Sequence, residues 1–476
     1  MPTPQDYTID QFAGLFELQQ QKSLTLRTAP LSTRKANLKK LLTWIYDHRP
    51  EIQEALYKDM RKPIVEVDVS ELQPVTTEIK HALANLHRWA RPRKITPTLL
   101  MLGTRASIQY EPKGTCLIIA PWNFPFNLTL APLVSALAAG NTAILKPSER
   151  TPHTAELIKN LVADIFDPAE VAVVPGAVPE TQALLKLPFD HIFFTGSPQV
   201  GKIVMAAAAQ NLASVTLELG GKSPAIVDET ADSKDAARKL TWGKFLNCGQ
   251  TCIAPDYVLV HESKQQALLQ ALKEDAEAYY NEQQNGIARS ADYSRIVDKR
   301  HLEGLQAVLN DAVDKGATIA MGGDIKAEDN YFAPTLLTGV RPDARVLQDE
   351  IFGPILPVVR YKDLDEAIAI INSKPKPLAL YVFSKSKKNI NKVMRATSSG
   401  GVNINDNVLQ FSHLNLPFGG VNNSGIGKSH GYYGFLAFSN EKPVLQQRIG
   451  LTGISFFYPP YTKWVKKLVE FVVKKL

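Results

Sequence analysis

Between residues 115 and 217, short apolar runs alternate with segments of helical periodicity. The runs cover 116–120, 142–145, 171–174 and 191–195, and helical segments fall near 127–139, 153–164, 179–186 and 198–210. Strands linked through helices run parallel, because a parallel pair needs a long crossover. A parallel sheet must then be covered by helices on both faces. The predicted fold class is therefore α/β, and such sheets bind ligands at the carboxyl ends of their strands. Residues 8–90 read as helices, from Leu38, Leu41, Leu42 and Ile45 and from Ile79, Leu83, Leu86 and Trp89. Pro92 and Pro97 then punctuate the chain. A second alternating block runs over 218–404, with strands at 257–260, 355–359, 379–383 and 401–403. The Gly- and Asn-rich stretch 405–450 is expected to loop back over a cleft between the two α/β units.

Two segments in the middle of the chain carry the chemistry: Glu218-Leu219-Gly220-Gly221-Lys222-Ser223-Pro224 and Asn247-Cys248-Gly249-Gln250-Thr251-Cys252. A thiolate is a strong nucleophile at neutral pH, and a carboxylate activates it or the water that attacks afterwards. Small residues around Cys252 let a substrate approach, and loop amides there stabilise an oxyanion. Cys248, read one helical turn earlier, and Cys116, at the start of an apolar strand, are expected to be packing residues. Glu218 ends an apolar run and reads either as a general base of raised pKa or as a surface turn residue. Asn123, in Pro121-Trp122-Asn123-Phe124-Pro125, follows the first strand and offers an amide to polarise a carbonyl. The 193–201 stretch is a strand, a turn and a helix start, and free helix amides suit a pyrophosphate. Lys146 and Glu149 end another strand and read as ribose ligands or as an exposed charged turn. Glu350 and Phe352 precede a further strand and read as a ribose ligand and a ring-packing residue, or as a plain turn.

The bulk properties exclude other classes. The net charge of +7 is modest for 476 residues and no basic run is interleaved with aromatics, so no nucleic acid partner is expected. Three cysteines argue against a disulfide framework and for a reducing compartment. No signal peptide, no membrane-spanning run and no metal-ligand cluster is read. A cytoplasmic protein is expected.

Taken together, PWNFP at 121–125, KPSE at 146–149, FTGS at 194–197, ELGGKSP at 218–224, GQTC at 249–252, EIFGP at 350–354 and PFGG at 417–420 resemble the aldehyde dehydrogenase superfamily. The turn at 194–197 and Tyr458-Pro459-Pro460-Tyr461 look most like its class 3, fatty-aldehyde-type branch. The resemblance implies Cys252 as nucleophile, Glu218 as general base and Asn123 as oxyanion donor. It implies NAD or NADP held by Trp122, Lys146, Glu149, Gly196, Ser197, Val200, Leu219, Gly220, Glu350 and Phe352. It also implies a Rossmann-like NAD(P)-binding domain with N-terminal helices over 1–216, a catalytic domain over 217–420, a return and oligomerisation segment over 421–450, a tail over 451–476, and a homodimer. The implied reaction is oxidation of an apolar aldehyde (medium- or long-chain, aromatic or apocarotenoid-like) to the acid through a thioester. A CoA-acylating enzyme and a silent membrane-associated scaffold are the alternatives; Glu218 argues against the first, because hydrolysis needs a base, and the intact Cys252, Glu218 and Asn123 argue against the second. Gln410 stands where many class 3 relatives carry His, and Asn422 where Gly is usual; both are expected at the substrate mouth or its support.

The tail 464–476 places Val465, Leu468, Val469, Val472 and Leu476 on one helical face, with Trp464 and Phe471 extending it and Lys466, Lys467, Lys474 and Lys475 around it. This basic amphipathic helix reads either as a peripheral membrane contact or as a cover over a partner subunit or the substrate entrance.

Overall fold

The computed structural model describes residues 9–98, 101, 103–450 and 452–475. The N-terminal stretch read as lacking a leader falls partly outside these, and Leu476 of the tail falls outside them too.

The first alternating block forms a six-stranded sheet. Its spatial order is Gly425–Ile426, Ser214–Leu219, His191–Gly196, Thr115–Ile119, Thr142–Lys146 and Val171–Val173. All neighbours are parallel except Gly425–Ile426, which returns antiparallel against Leu217 and Glu218. The expected division at 216/217 falls inside the Ser214–Leu219 strand.

Every residue of the Asn127–Ala139 helix is buried, which requires cover on all sides. The sheet covers one side, and the N-terminal helices cover the other: Leu38, Leu41, Ile79 and Leu86 share a core with Leu130, Leu133 and Ile118. On the opposite face of the sheet, Phe12 and Phe16 of the Ile9–Thr28 helix and Val204 of the Pro198–Gln210 helix pack on Leu117, Ile144 and Leu217.

The second block forms a seven-stranded sheet: Thr318–Met321, Thr335–Thr338, Ile355–Tyr361, Tyr257–His261, Pro224–Val227, Ala379–Phe383 and Gly401–Ile404. Only Thr318–Met321 runs antiparallel to its neighbour. Three of these strands escape the sequence reading: Thr318–Met321, Thr335–Thr338 and Pro224–Val227. Each has four residues, too few to display a period.

A third sheet joins Arg93–Ile95, Arg105–Pro112 and Ser439–Gln446, all antiparallel. Part of the return segment is therefore a strand rather than a loop. The Lys463–Lys475 helix buries Val465, half-buries Leu468 and Val472, and leaves Trp464, Val469, Phe471 and Val473 exposed. Among the described residues, no helix is long and apolar enough to cross a membrane.

Candidate active site

The loop bearing Cys252 begins where the Ser233–Phe245 helix stops. Asn247, Cys248 and Gly249 all take positive φ (53°, 55° and 74°), which breaks the helix. Cys248 is thus on a kink rather than on the regular helix expected, although it is a buried packing residue, with Sγ 3.2 Å from the Tyr293 hydroxyl. A Cβ on Gly249 would lie 2.3 Å from the Gly353 carbonyl, so only glycine fits there.

Side chains fix the loop on every side. Asn247 donates from its amide to Glu66 Oε1 at 2.9 Å and from Nδ2 to the Asn123 carbonyl at 2.8 Å. Gln250 Nε2 donates to the carbonyls of Asn247 and Arg295, both at 3.0 Å, and Gln250 Oε1 accepts from Val297 N at 3.0 Å. Burial pushes the Glu66 carboxyl up to about 7.

Asn123 is buried, and its Nδ2 donates to the Gln250 carbonyl at 3.1 Å. An amide has two N–H groups, so one further donor remains. The Asn123 backbone is anchored by a buried ion pair: Lys62 Nζ lies 2.6 Å from Glu71 Oε1 and donates to the Asn123 carbonyl at 3.2 Å. Glu71 Oε2 in turn accepts from Asn127 N at 2.9 Å.

Glu218 is not a surface turn residue. It is buried near the end of its strand, and Ser429 Oγ donates to its Oε1. Burial raises its pKa; the His430 charge, the Ser429 hydrogen bond and Lys428 restrain the rise, and Glu78 adds to it. Glu350 is pushed up to about 8, chiefly by burial and then by the Asp256 charge, against the amide of Gly221 and two lysines. Burial, then the charges of Glu350 and Glu218, raise the Cys252 thiol, while the amides of Cys252 and Ile253 lower it. The net effect favours the thiol over the thiolate in the resting site.

Two cavities meet at Cys252. One, of about 280 Å³, is walled mainly by apolar side chains, among them Val69, Phe124, Trp242, Leu246, Ile253 and Phe411. The other, of about 260 Å³, lies at the carboxyl ends of the six-stranded sheet. Asn123, Glu218, Trp122, Gly196, Ser197, Leu219, Gly220, Glu350 and Phe352 line it. Lys146, Glu149 and Val200 are not in its wall. Lys146 is buried, with Nζ 2.8 Å from the Pro147 carbonyl and 3.8 Å from Glu149 Oε2. Val200 sits in the first turn of the Pro198–Gln210 helix, its amide donating to Ser197 Oγ at 3.4 Å.

The cavity fits a dinucleotide. Gly196 and Ser197 open the helix N-terminus toward it, as a pyrophosphate requires. A Cβ on Gly220 would lie 2.2 Å from Glu350 Oε2, so the glycine keeps the room that the carboxylate occupies. The Lys146 ammonium has donors to spare for ribose hydroxyls.

Some site residues gave no signal in the sequence. Arg150 lies 4.5 Å over the Trp122 ring and pairs with Asp298 at 2.6 Å. His301 Nε2 is 2.8 Å from the Phe352 carbonyl. Lys222 pairs with Asp256 at 2.5 Å and donates to the Asp349 carbonyl at 2.9 Å, which anchors the turn bearing Glu350. Gln410 sits between the cavity-lining residues Leu409 and Phe411, with Nε2 3.4 Å from the Tyr381 hydroxyl. Asn422 does not reach either cavity: it is exposed at φ 53° and accepts from Lys376 Nζ at 2.8 Å. That φ explains why glycine suits the position and why asparagine replaces it at small cost.

A parallel sheet whose strand ends and a helix N-terminus line one cavity, with a thiol between it and an apolar one, is the arrangement of a nucleotide-dependent enzyme of thiol-based carbonyl chemistry. The aldehyde dehydrogenase family matches residues 9–444, and the chain belongs to that family. It is 45% identical to the 4,4'-diaponeurosporen-aldehyde dehydrogenase of Staphylococcus aureus, over 94% of this chain and 96% of that protein. It is 46% identical to aldehyde dehydrogenase family 3 member A2 of Mus musculus, over 92% and 90% of the two chains. The structure of the substrate-bound state of Staphylococcus aureus AldH superposes with a TM-score of 0.92 at 44% identity, covering 97% of this chain and 99% of that one. The protein is an oxidoreductase that oxidises aldehydes with NAD or NADP.

Proposed function

We propose that Cys252 is the nucleophile, Glu218 the general base and Asn123 an oxyanion donor, and that the substrate is an apolar aldehyde. The observation that carries this reading is the place of Cys252 between an apolar cavity of about 280 Å³ and the coenzyme cavity of about 260 Å³. Cys252 Sγ loses its proton to solvent and bonds to the carbonyl carbon. The resulting oxyanion accepts from Asn123 Nδ2 and the Cys252 amide. NAD or NADP, when bound, would supply the hydride acceptor that lets the Cys252 adduct become a thioester. Glu218, as the base, then draws a proton from water. The water oxygen attacks the thioester carbonyl, the acid departs and the sulfur is freed.

Trp122, Gly196, Ser197, Leu219, Gly220, Glu350 and Phe352 shape the coenzyme site, with Lys146, Glu149 and Val200 at its margin. Glu149 beside a ribose repels a 2′-phosphate, which favours NAD+. The Staphylococcus aureus and Mus musculus relatives are called a diaponeurosporen-aldehyde dehydrogenase and a family 3 member, which agrees with a bulky or lipid-derived aldehyde. A series of straight-chain aldehydes tests this reading. Each methylene buried in the apolar cavity is worth about 0.8 kcal/mol, so kcat/KM is expected to rise up to about fourfold per carbon until the cavity is full. A flat series would remove the apolar substrate.

We further infer a homodimer and a peripheral contact of the tail with anionic lipid. The exposed edge strand Ser439–Gln446 supports the first. The exposed Phe471 and Val473 amid lysines support the second.

A further inference from the structure

Glu218 lines two spaces: the cavity it shares with Cys252, and a chamber of about 10 Å³ behind it. That volume is about one water. Glu78, Thr195, Ser429 and His430 are the other hydrogen-bonding groups of the chamber that matter here. Thr195 stands beside Glu218 on the neighbouring strand, and its buried Oγ1 has no hydrogen-bond partner. A buried hydroxyl without a partner marks a place for a water.

His430 is held tightly in the wall. Its Nδ1 lies 2.8 Å from Glu78 Oε1, and the same carboxylate accepts from Gly431 N at 3.0 and 3.1 Å. Phe411 and Phe418 pack edge-on against the ring at 4.6 and 5.2 Å. The backbone at His430 has φ 70°, costly for a residue other than glycine and tolerated where the surroundings enforce it. Glu78 comes from the Gln73–Trp89 helix, far away in sequence, and the thioester route through Cys252 and Glu218 uses neither residue.

We propose that the Glu78–His430 pair is the positioning element of Glu218: a cation fixed by Glu78, facing the base carboxylate across a single water held by Thr195. This rests on Glu218 being the base. Burial lowers the His430 pKa, but the hydrogen bond and charge of Glu78 and the charge of Glu218 outweigh it, so the net direction is upward. The His430 charge in turn restrains the rise that burial gives Glu218. The other charged or titratable groups facing Glu218 are Lys428, whose Nζ is spent on the Gly419 and Gly420 carbonyls at 2.6 and 3.2 Å, and Cys252.

A general base works ionised, so deacylation rises as pH climbs through the Glu218 pKa. Removing the His430 charge moves that pKa up and the acid limb with it. The test is hydrolysis of p-nitrophenyl acetate, which needs no coenzyme. Cys252 Sγ bonds to the acetyl carbon and p-nitrophenolate leaves as a burst; water then takes the acetyl group at the steady-state rate. His430→Gln is expected to keep the burst and to shift the acid limb upward by about one pH unit, which is about tenfold in rate along that limb. A rate unchanged, or lowered equally at every pH, would overturn the proposal. Titration of His430 by NMR in the unaltered protein decides the matter even if the variant does not fold: a pKa above the ordinary histidine value supports the cation, and one at or below it overturns it. Glu218→Gln separates the two readings. If it deacylates normally, Glu218 is not the base; if it is slow while His430→Gln behaves as the unaltered protein, only the pair's role fails.

Discussion

At the scale of single residues, the site tolerates little because its groups are packed against each other rather than against solvent. Gly220 is the sharpest case. An alanine there would drive its Cβ into the Glu350 carboxylate, which could only shift into the coenzyme cavity that it lines. Gly220→Ala is expected to weaken NADH binding by about tenfold or more, measured by fluorescence titration, with a smaller effect on melting temperature. Asn422→Gly makes the opposite prediction. Its side chain meets only Lys376 and its φ suits glycine, so kcat/KM should stay within about twofold in the aldehyde assay. With Glu218 as the proposed base, the pH dependence is expected to follow its carboxyl. Its raised pKa places the acid limb of steady-state turnover above that of an ordinary glutamate, with activity gained as pH rises through it and lost as pH falls. A limb at the ordinary carboxylate value would contradict the burial seen for this group.

At the scale of elements, the N-terminal helices do more than cover the sheet. Through Lys62 and Glu71 the N-terminal region holds the Asn123 carbonyl and the Asn127 amide, which places the proposed oxyanion donor. Lys62→Met would leave Glu71 buried without its cation, and such a loss costs about 3–5 kcal/mol. Thermal unfolding should show a large drop, and a double change to Lys62→Met with Glu71→Gln should recover part of it. Glu71 lies in the five-residue π-turn Asp68–Leu72, whose Val69 and Ser70 line the apolar cavity. Widened turns of this kind recur at functional sites. The Lys463–Lys475 helix is a separate element. Its buried Val465 ties it to the body, while Phe471, Val473, Lys466, Lys467 and Lys474 face outward. Removing residues 463–476 is expected to abolish sedimentation with anionic vesicles while leaving short-aldehyde turnover in place; unchanged sedimentation would make the helix a structural cover.

At the scale of the whole molecule, legibility in the sequence tracks burial. The strands at 116–120 and 142–145 are buried on both faces, so they read as continuous apolar runs between helices. The three-stranded sheet was illegible because its strands are largely exposed and polar, and residues 439–446 show no alternation. Cys252, Glu218 and Asn123 were legible because each sits in a compact run of small or prolyl residues that forces a turn. Glu78, His430, His301 and the Lys62–Glu71 pair were not, because their partners lie far off in the chain and only the fold brings them together. The central claim is that an acyl group passes through Cys252 and that Glu218 releases it. Mass spectrometry of the Glu218→Gln protein, quenched after mixing with a long-chain aldehyde and NAD+, tests it most directly. The expected result is a mass increase equal to the acyl group on the peptide bearing Cys252, absent without NAD+ and absent in Cys252→Ala. An unmodified Cys252 during full NADH production, or an acyl group on another residue, would contradict it.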